Sequence, residues 1–160
     1  MKALLSLSAI LILTLQTQAQ DTIVMRSTPR FEIGALLGEP IGLSLKFWHG
    51  TITATDLSAA WSFTENGVFE MHLDFLVHPF NLRAITQGNN FPFYIGAGFA
   101  ARVGDDWFLG ARLPIGVEYM FNSFPLSIFG EVAPQWQFFP DDDFVLSGGV
   151  GIRLLFGSIE

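Results

Sequence analysis

From Phe31 to Phe156, apolar and polar side chains alternate along the chain, and short groups of turn-forming residues interrupt them at intervals. A period of two places alternate side chains on opposite faces of a strand, so the pattern predicts β-strands with two unlike faces. The predicted strands are Phe31–Gly38, Ile41–Trp48, Thr53–Phe63, Val68–Val77, Phe93–Val103, Trp107–Phe121, Leu126–Phe138 and Phe144–Phe156.

The two faces of these strands differ in size and in charge. One face carries large apolar side chains throughout, such as Leu43, Leu73 and Ile152, and the opposite face mixes Gly, Ser and Ala with ionisable residues. The ionisable members of the second face are Glu32, Lys46, Asp56, Glu70, His72, Asp74, Arg102, Arg112, Glu118, Glu131 and Arg153.

Two kinds of closed barrel fit a sheet of this size. A soluble ligand-carrying barrel places the apolar face inside, whereas a membrane barrel places it outside against lipid. Small residues beside nearly matched acids and bases suit a narrow interior better than a water-facing exterior. Aromatic residues also gather at the strand ends, as lipid–water interfaces favour. The sequence therefore predicts an all-β fold, an eight-stranded antiparallel up-and-down transmembrane β-barrel, with the soluble barrel as the alternative.

Composition narrows the picture further. Charged residues make up 14% of the chain, against about 25% in soluble proteins, and after the N-terminus no run approaches the roughly 18 apolar residues of a spanning helix. A net charge of −7 with only 8 Lys and Arg argues against nucleic acid as a partner. The absence of Cys excludes disulfides and thiolate metal sites.

The N-terminus has the layout of a secretory signal peptide. Lys2 is followed by an apolar stretch from Ala3 to Leu13 and by small and polar residues up to Ala19. We expect residues 1–19 to be a signal peptide cleaved after about Ala19, residues 20–30 a periplasmic lead, 31–156 the barrel and 157–160 a C-terminal tail. The predicted location is the outer membrane, reached through the periplasm.

The ionisable face is predicted to form a charge network inside the barrel. Residues directly opposite or diagonal on neighbouring strands are close enough to interact. Counting through the turns predicts these pairs: Glu32 with Lys46, Lys46 with Asp56, Glu70 with Arg102, Asp74 with Arg112 across Gly98, and Glu131 with Arg153. The same count brings Glu118 close to Glu131, so one of these two carboxylates needs a further partner.

Glu70, His72 and Asp74 share one strand face with Ser58 nearby, and an acid–base pair beside a nucleophile is able to support hydrolysis. Their orientation into a narrow lumen favours a structural charge network instead, so no catalysis and no cofactor are expected. The remaining histidines, His49 and His78, are interpreted as turn or rim residues.

Acidic residues concentrate on alternate turns. If the mature N-terminus lies in the periplasm, these turns face outward. Their carboxylates could bind divalent cations weakly among lipopolysaccharide phosphates; the alternative is that acids are simply soluble turn formers. The candidate metal ligands are Asp105, Asp106, Asp141, Asp142 and Asp143.

Several strings in order resemble a known family: Gly38–Trp48, Ala60–Phe63, Gly104–Asp106, Leu113–Tyr119, Glu131–Pro134 and Gly149–Arg153. The chain is similar to a family of functionally uncharacterised bacterial outer-membrane barrels, often likened to the transmembrane domain of outer membrane protein A. The resemblance implies an eight-stranded barrel and no activity. In one departure, Phe156 is followed by four further residues, whereas such barrels commonly end on an aromatic.

The sequence thus predicts a structural or envelope-interaction role. The expected partners are outer-membrane lipid, lipopolysaccharide and the barrel-insertion machinery. The alternatives are a lipid A-modifying acyl hydrolase or transferase, a surface receptor or adhesin, and a soluble lipid-binding barrel.

Overall fold

The computed structural model describes residues 29–37, 41–61, 68–81, 90–104 and 107–157, which form nine β-strands. The strands are β1 (Phe31–Leu37), β2 (Ile41–Trp48), β3 (Thr53–Trp61), β4 (Phe69–Asn81), β5 (Pro92–Val103), β6 (Phe108–Arg112), β7 (Ile115–Met120), β8 (Leu126–Phe139) and β9 (Asp143–Phe156). The predicted signal peptide and most of the lead lie outside the described residues. Within these ranges, no helix is long and apolar enough to cross a membrane.

The strands form one antiparallel sheet that closes on itself. Successive strands pair around the ring, with β6 and β7 sharing one position between β5 and β8, and β1 pairs with β9 from Phe31 opposite Phe156 to Leu37 opposite Val150. Closure gives the backbone N–H and C=O groups at both ends of the sheet a partner, which removes the exposed edges of an open sheet. The predicted all-β, antiparallel, up-and-down barrel is confirmed.

The strand count differs from the predicted eight because the sixth predicted strand is broken at Pro114. Proline has no backbone N–H to donate to a ladder, so β6 ends at Arg112 and β7 begins at Ile115. Both β5 and β8 pair with both pieces. Hydrogen bonds from Leu113 N to Pro134 O (3.0 Å) and from Gly96 N to Pro114 O (2.8 Å) bridge the gap. Nine strands therefore occupy eight positions around the ring.

Strand β4 is longer than predicted, because the His78-Pro79 pair does not end it. The strand continues to Asn81, which lies opposite Pro92, and the register with β5 shifts between Val77 and Phe80. Such an irregularity lets a strand accommodate a proline. The interpretation of His78 as a turn or rim residue is wrong, since His78 is buried within β4.

The predicted apolar face points outward around the whole barrel. Leu43, Leu73 and Phe99 are 54%, 51% and 62% exposed, whereas Lys46 and Glu32, on the opposite face, are 0% exposed. None of the outward-facing strand positions in the described part of the chain carries a charge. A soluble barrel with an apolar interior does not fit this orientation.

Aromatic side chains mark both rims of the barrel. The terminal rim is the end at Arg30, Phe156 and the turns at residues 49–52 and 121–125; the distal rim is the end at Gly104, Trp107 and the turn at residues 140–142. At the terminal rim Phe31 stacks on Phe156, with ring centroids 5.0 Å apart. At the distal rim Trp107 and Phe144 are exposed.

Candidate functional site

The barrel interior, or lumen, holds every ionisable residue that the sequence predicted there. Eight of them are buried: Glu32, Lys46, Asp56, Glu70, Asp74, Arg112, Glu118 and Arg153. His72, Arg102 and Glu131 are partly buried. Adjacent positions on each strand alternate between lumen and exterior. A shift of one residue in the predicted inward positions would have placed the charged side chains of that strand outside and its apolar side chains in the lumen.

Large side chains fill the lumen next to the terminal rim. Trp48, Leu76, Tyr94 and Met120 form a buried cluster, and the His78 ring lies between Trp48 and Tyr94, with centroid distances of 4.4 and 5.5 Å. We call these five side chains the terminal plug. Strand alternation alone does not predict this plug, although all five residues occupy inward strand positions.

The plug borders a buried ion pair that crosses the lumen. Lys46 Nζ of β2 lies 2.5 Å from Glu118 Oε2 of β7, on the opposite side of the ring. Ser127 Oγ donates a hydrogen bond to Glu118 Oε1 at 2.6 Å, and Arg153 Nη1 is 3.6 Å from the same oxygen. Lys46 Nζ also lies 4.4 Å from the Trp48 ring centroid, a cation–π distance.

Glu32 does not form an ion pair with Lys46, although the two residues are directly opposite in the β1–β2 register. Its carboxylate accepts a hydrogen bond from Trp48 Nε1 at 2.6 Å, and the Ser127 hydroxyl that bonds Glu118 lies 3.2 Å from Glu32 Oε2. Glu32 therefore connects Trp48 of the terminal plug to Ser127, which binds Glu118.

Asp56 likewise lies opposite Lys46 in register but pairs with Arg153 of β9. Arg153 Nε donates to Ser44 Oγ at 2.9 Å, and Ser58 Oγ donates to Asp56 Oδ1 at 3.0 Å. The guanidinium group of Arg153 stacks 3.6 Å from the centroid of the Phe129 ring.

Arg112 forms ion pairs with two carboxylates. Its Nη1 lies 3.4 Å from Asp74 Oδ2, and its Nη2 binds Glu131; Tyr94 Oη donates to Glu131 at 3.0 Å. In the register, Gly98 lies between Asp74 and Arg112. A Cβ at Gly98 would collide with the Asp74 carboxylate and the Leu73 carbonyl. The ion pair depends on glycine at that position.

The last charge group lies towards the distal rim. Arg102 donates to Glu70 Oε2 from Nε at 3.0 Å and from Nη2 at 2.7 Å, and His72 Nε2 is 2.6 Å from Glu70 Oε1. The Arg102 side chain is 32% exposed, in contrast to 0% for Lys46.

The predicted pairs of Glu70 with Arg102 and of Asp74 with Arg112 are brought together in the structure. The predicted diagonal contact of Glu131 with Arg153 is wrong, because Arg153 lies opposite Ser127 and Glu131 lies opposite Gly149. The partners of Lys46, Glu118 and Arg153 lie across the lumen. Pairing of neighbouring strands gives no signal for such contacts.

The described candidate cation ligands at the distal rim, Asp141, Asp142 and Asp143, form no group arranged to hold a metal ion. Asp141 is exposed, Asp142 accepts a hydrogen bond from Trp136 Nε1, and Asp143 accepts one from the backbone N–H of Phe144 at 2.8 Å. Asp105 and Asp106 lie outside the described residues. Among the residues that the structure describes, no group of three or more His, Asp or Glu side chains is arranged to hold a metal ion.

The distal half of the lumen contains a cavity of about 360 Å³. The expectation of a lumen filled by side chains therefore holds only for the terminal half. Small residues such as Ser58, Ser147 and Gly149 line the cavity and leave the volume open. Its charged lining residues nearly cancel: Asp56, Glu70, Asp74 and Glu131 against Arg102, Arg112 and Arg153.

Comparison with known proteins identifies a structural likeness. No family model matches the sequence, and no curated protein matches it. The fold is similar to the crystal structure of the N-terminal β-barrel domain of Pseudomonas aeruginosa OprF, with a TM-score of 0.58 and 17% sequence identity. The match covers 79% of this chain and 95% of that one. At this identity the likeness shows the fold alone: this chain has the fold of an outer-membrane β-barrel domain.

Proposed function

We propose that this protein is a structural β-barrel of a bacterial outer membrane, exported behind a cleaved signal peptide, and that it performs no catalysis. The observation that carries the proposal is the inverted distribution of polarity, with apolar side chains outside and charges inside. In hydrocarbon every backbone polar group needs an internal partner, which a closed barrel provides. Its proposed partners are outer-membrane lipid, lipopolysaccharide and the machinery that inserts barrels.

The absence of catalysis is supported by how the lumen groups are used. Ser58 is the serine opposite His72 in the β3–β4 register. Its hydroxyl group donates a hydrogen bond to Asp56 Oδ1. His72 contacts Glu70, which Arg102 also binds. Ser58 and His72 therefore bond to different carboxylates and not to each other, so the nucleophile–base contact that hydrolysis requires is not formed.

The membrane assignment is tested by the outward face. Leu73→Arg places a charge in the middle of β4, where an arginine near the bilayer centre costs about 2–4 kcal/mol. We expect this variant to fold into lipid vesicles with much lower yield than the unmodified protein. The matched control is Ser123→Arg, in the exposed turn at the terminal rim. If Leu73→Arg folds normally, and the protein stays in solution without detergent, the barrel is not a membrane protein.

The second test addresses catalysis on lipid. Mass spectra of lipid A from a diderm host should be identical with and without expression of the folded protein. The gain or loss of an acyl chain that depends on His72 would show that the barrel is a lipid-modifying enzyme.

A further inference from the structure

Closure of the ring between β1 and β9 does not extend along the whole of β9. The β1–β9 ladder ends at Leu37 opposite Val150, whereas the β8–β9 ladder continues to Asp143. Leu146 lies four residues before Val150, so its partner on β1 would lie four residues after Leu37. That residue is Ile41, which belongs to β2. Among the residues that the structure describes, none pairs with this side of residues 144–148, which we call the free edge.

The backbone of the free edge offers hydrogen bonds to a further strand. In an antiparallel strand, successive residues direct their N–H and C=O groups to opposite neighbours. Phe156 O accepts from Arg30 N at 3.0 Å, on the β1 side, so the even-numbered residues of β9 face that side. Pro134, which has no N–H, lies opposite Leu146 and agrees with this assignment, because a proline fits where no ladder bond is needed. Leu146 therefore directs its N–H and C=O away from β8.

The free edge lacks the features that protect sheet edges from pairing. Natural edges carry charged residues or proline, and β4 carries Pro79 where it extends past β3. Residues 144–148 contain neither. The outward side chains of Phe144 and Leu146 are instead 68% and 67% exposed. The free edge therefore presents apolar side chains next to backbone groups that can pair with a strand.

The length of β9 places the free edge at the membrane surface, if the barrel lies in a membrane as proposed above. β9 has 14 residues, whereas a transmembrane strand needs about 9–11. Because Phe156 lies at the terminal rim, the first residues of β9 extend beyond the hydrocarbon. Open sheet edges do not occur within hydrocarbon, which agrees with this position. A chain in the aqueous phase therefore reaches the free edge from the distal rim.

A second copy of the barrel does not fit this edge within one membrane. Antiparallel pairing of two free edges places a twofold axis perpendicular to the sheet, and that rotation inverts the second barrel. Parallel pairing places the axis along the strands. Such strands tilt by about 35–45° from the membrane normal, so the second barrel would lie across the membrane plane. The occupant that fits is a strand from a different protein.

Charge and alternation restrict the sequence of that strand. Three consecutive aspartates, residues 141–143, precede the free edge in a chain of net charge −7, so Lys or Arg is favoured at the adjacent end of the partner. On the outward face, apolar side chains of the partner pack against Phe144 and Leu146. On the inward face, the cavity borders Val145 and Ser147 and leaves room for small polar side chains.

We propose that the free edge is a docking site for an extended segment of another protein, with alternating apolar and small polar residues and a basic end. The segment adds to the sheet as a strand beside β9. Leu146 donates through its N–H and accepts through its C=O, and the C=O of Phe144 is a further acceptor. This inference goes beyond the proposed structural role, which requires no protein partner at the distal rim.

The matched variants are two substitutions of one residue. Leu146→Pro removes the N–H that faces the partner, and the β8–β9 ladder loses no bond, because Pro134 opposite Leu146 offers no N–H. Leu146→Ala shortens the side chain and keeps the N–H. A docking site built on the backbone distinguishes these two variants, whereas a purely apolar contact is weakened by both.

The test is fluorescence anisotropy of a dye-labelled peptide, Lys-Val-Thr-Val-Thr-Val-Lys, with the barrel in nanodiscs of zwitterionic lipid. We expect saturable binding by the unmodified protein, binding weaker by at least about tenfold in Leu146→Pro, and an intermediate affinity in Leu146→Ala. Replacing both lysines of the peptide by glutamate should weaken binding. No saturable binding, equal binding by Leu146→Pro, or equal binding to empty nanodiscs overturns the proposal. A barrel dimer that Leu146→Pro dissociates overturns the choice of partner.

A second measurement does not depend on the folding of any variant. In the unmodified protein, the amide hydrogen of Leu146 should exchange quickly with solvent, and it should exchange slowly once the peptide is bound. The amide of Val145, which the alternation directs towards β8, should exchange slowly in both conditions. Slow exchange at Leu146 without peptide would show that the chain covers its own edge, and it overturns the proposal. Insertion into nanodiscs, which tests the membrane location, is measured separately from either readout.

Discussion

The two halves of the lumen are built from the same strands but differ in how far side chains fill the enclosed space. In the terminal half, the tilted rings of Trp48, His78 and Tyr94 pack beside a fully buried Lys46–Glu118 pair. In the distal half, small inward residues such as Ser58 and Gly149 leave a cavity, and Arg102 reaches solvent. The strands and their alternation are common to both halves. The volume of the inward side chains therefore decides whether the lumen is filled or contains a cavity at a given position along the barrel axis.

The largest expected effect is on the Lys46–Glu118 pair. Removing one member of a buried ion pair typically costs about 3–5 kcal/mol, because the other charge stays buried without its partner. Glu118→Leu should lower the free energy of unfolding by about that amount, measured by urea unfolding in micelles. Adding Lys46→Met should recover most of the loss. Recovery should be incomplete, since Glu118 also binds Ser127 and lies 3.6 Å from Arg153.

The control for this cycle pairs Glu118→Leu with Arg102→Ala, residues that share no contact. Those two losses should add, as they do for independent sites. If Glu118→Leu and Lys46→Met also add without any recovery, the two side chains do not interact, and the description of the terminal half is wrong.

An intermediate effect is expected where a glycine makes room for an ion pair. Gly98→Ala introduces a Cβ into the space of the Asp74 carboxylate, and overpacking of this kind typically costs about 1–3 kcal/mol. The matched control is Gly130→Ala, where the added Cβ meets only Val150 Cγ1, at 3.9 Å. Equal unfolding midpoints for the two alanine variants would contradict the Asp74–Arg112 arrangement.

A smaller effect is expected from the charge group at the distal rim. Arg102→Ala should lower stability by about 1 kcal/mol or less, because exposed and partly exposed ion pairs contribute little and Glu70 keeps His72 as a neighbour. The loss should shrink further at high salt, since accessible charges are screened. A loss as large as that of Glu118→Leu would show that solvent does not reach the distal half.

The sequence predicted which side chains face the lumen, because this depends on alternation along a strand. It did not predict the contacts between strands on opposite sides of the lumen. Period-two patterning placed Glu32, Lys46 and Arg153 inside and Leu43 and Leu73 outside, because register along a strand is a local property. The position of Glu70 and Arg102 near the same rim, on neighbouring strands, also predicted their pair. The pairing of Lys46 with Glu118, however, depends on barrel diameter and tilt, which no neighbouring pair of strands encodes.

Two other misses have local causes. Pro114 itself indicates a break, because a proline inside a predicted central strand weakens that assignment. The alternation of apolar and polar residues continues on both sides of Pro114 and favours a single strand. At His78, the proline that follows favours a turn. In the structure a register shift lets β4 continue to Asn81, which turns a predicted loop residue into part of the terminal plug.

The last prediction concerns which rim faces outward, and it should leave stability almost unchanged. Epitope tags inserted after Asp142 and after Ser123 lie in exposed turns at opposite rims, where insertions are generally tolerated. We expect antibody to label the Asp142 tag on intact cells, and the Ser123 tag only after the outer membrane is opened. The reason is that an N-terminus that stays in the periplasm after export places the terminal rim there, because Arg30 and Phe156 both lie at that rim. Labelling of Ser123 on intact cells would invert the assigned orientation, so that the filled half of the lumen faced outward and the cavity opened towards the periplasm.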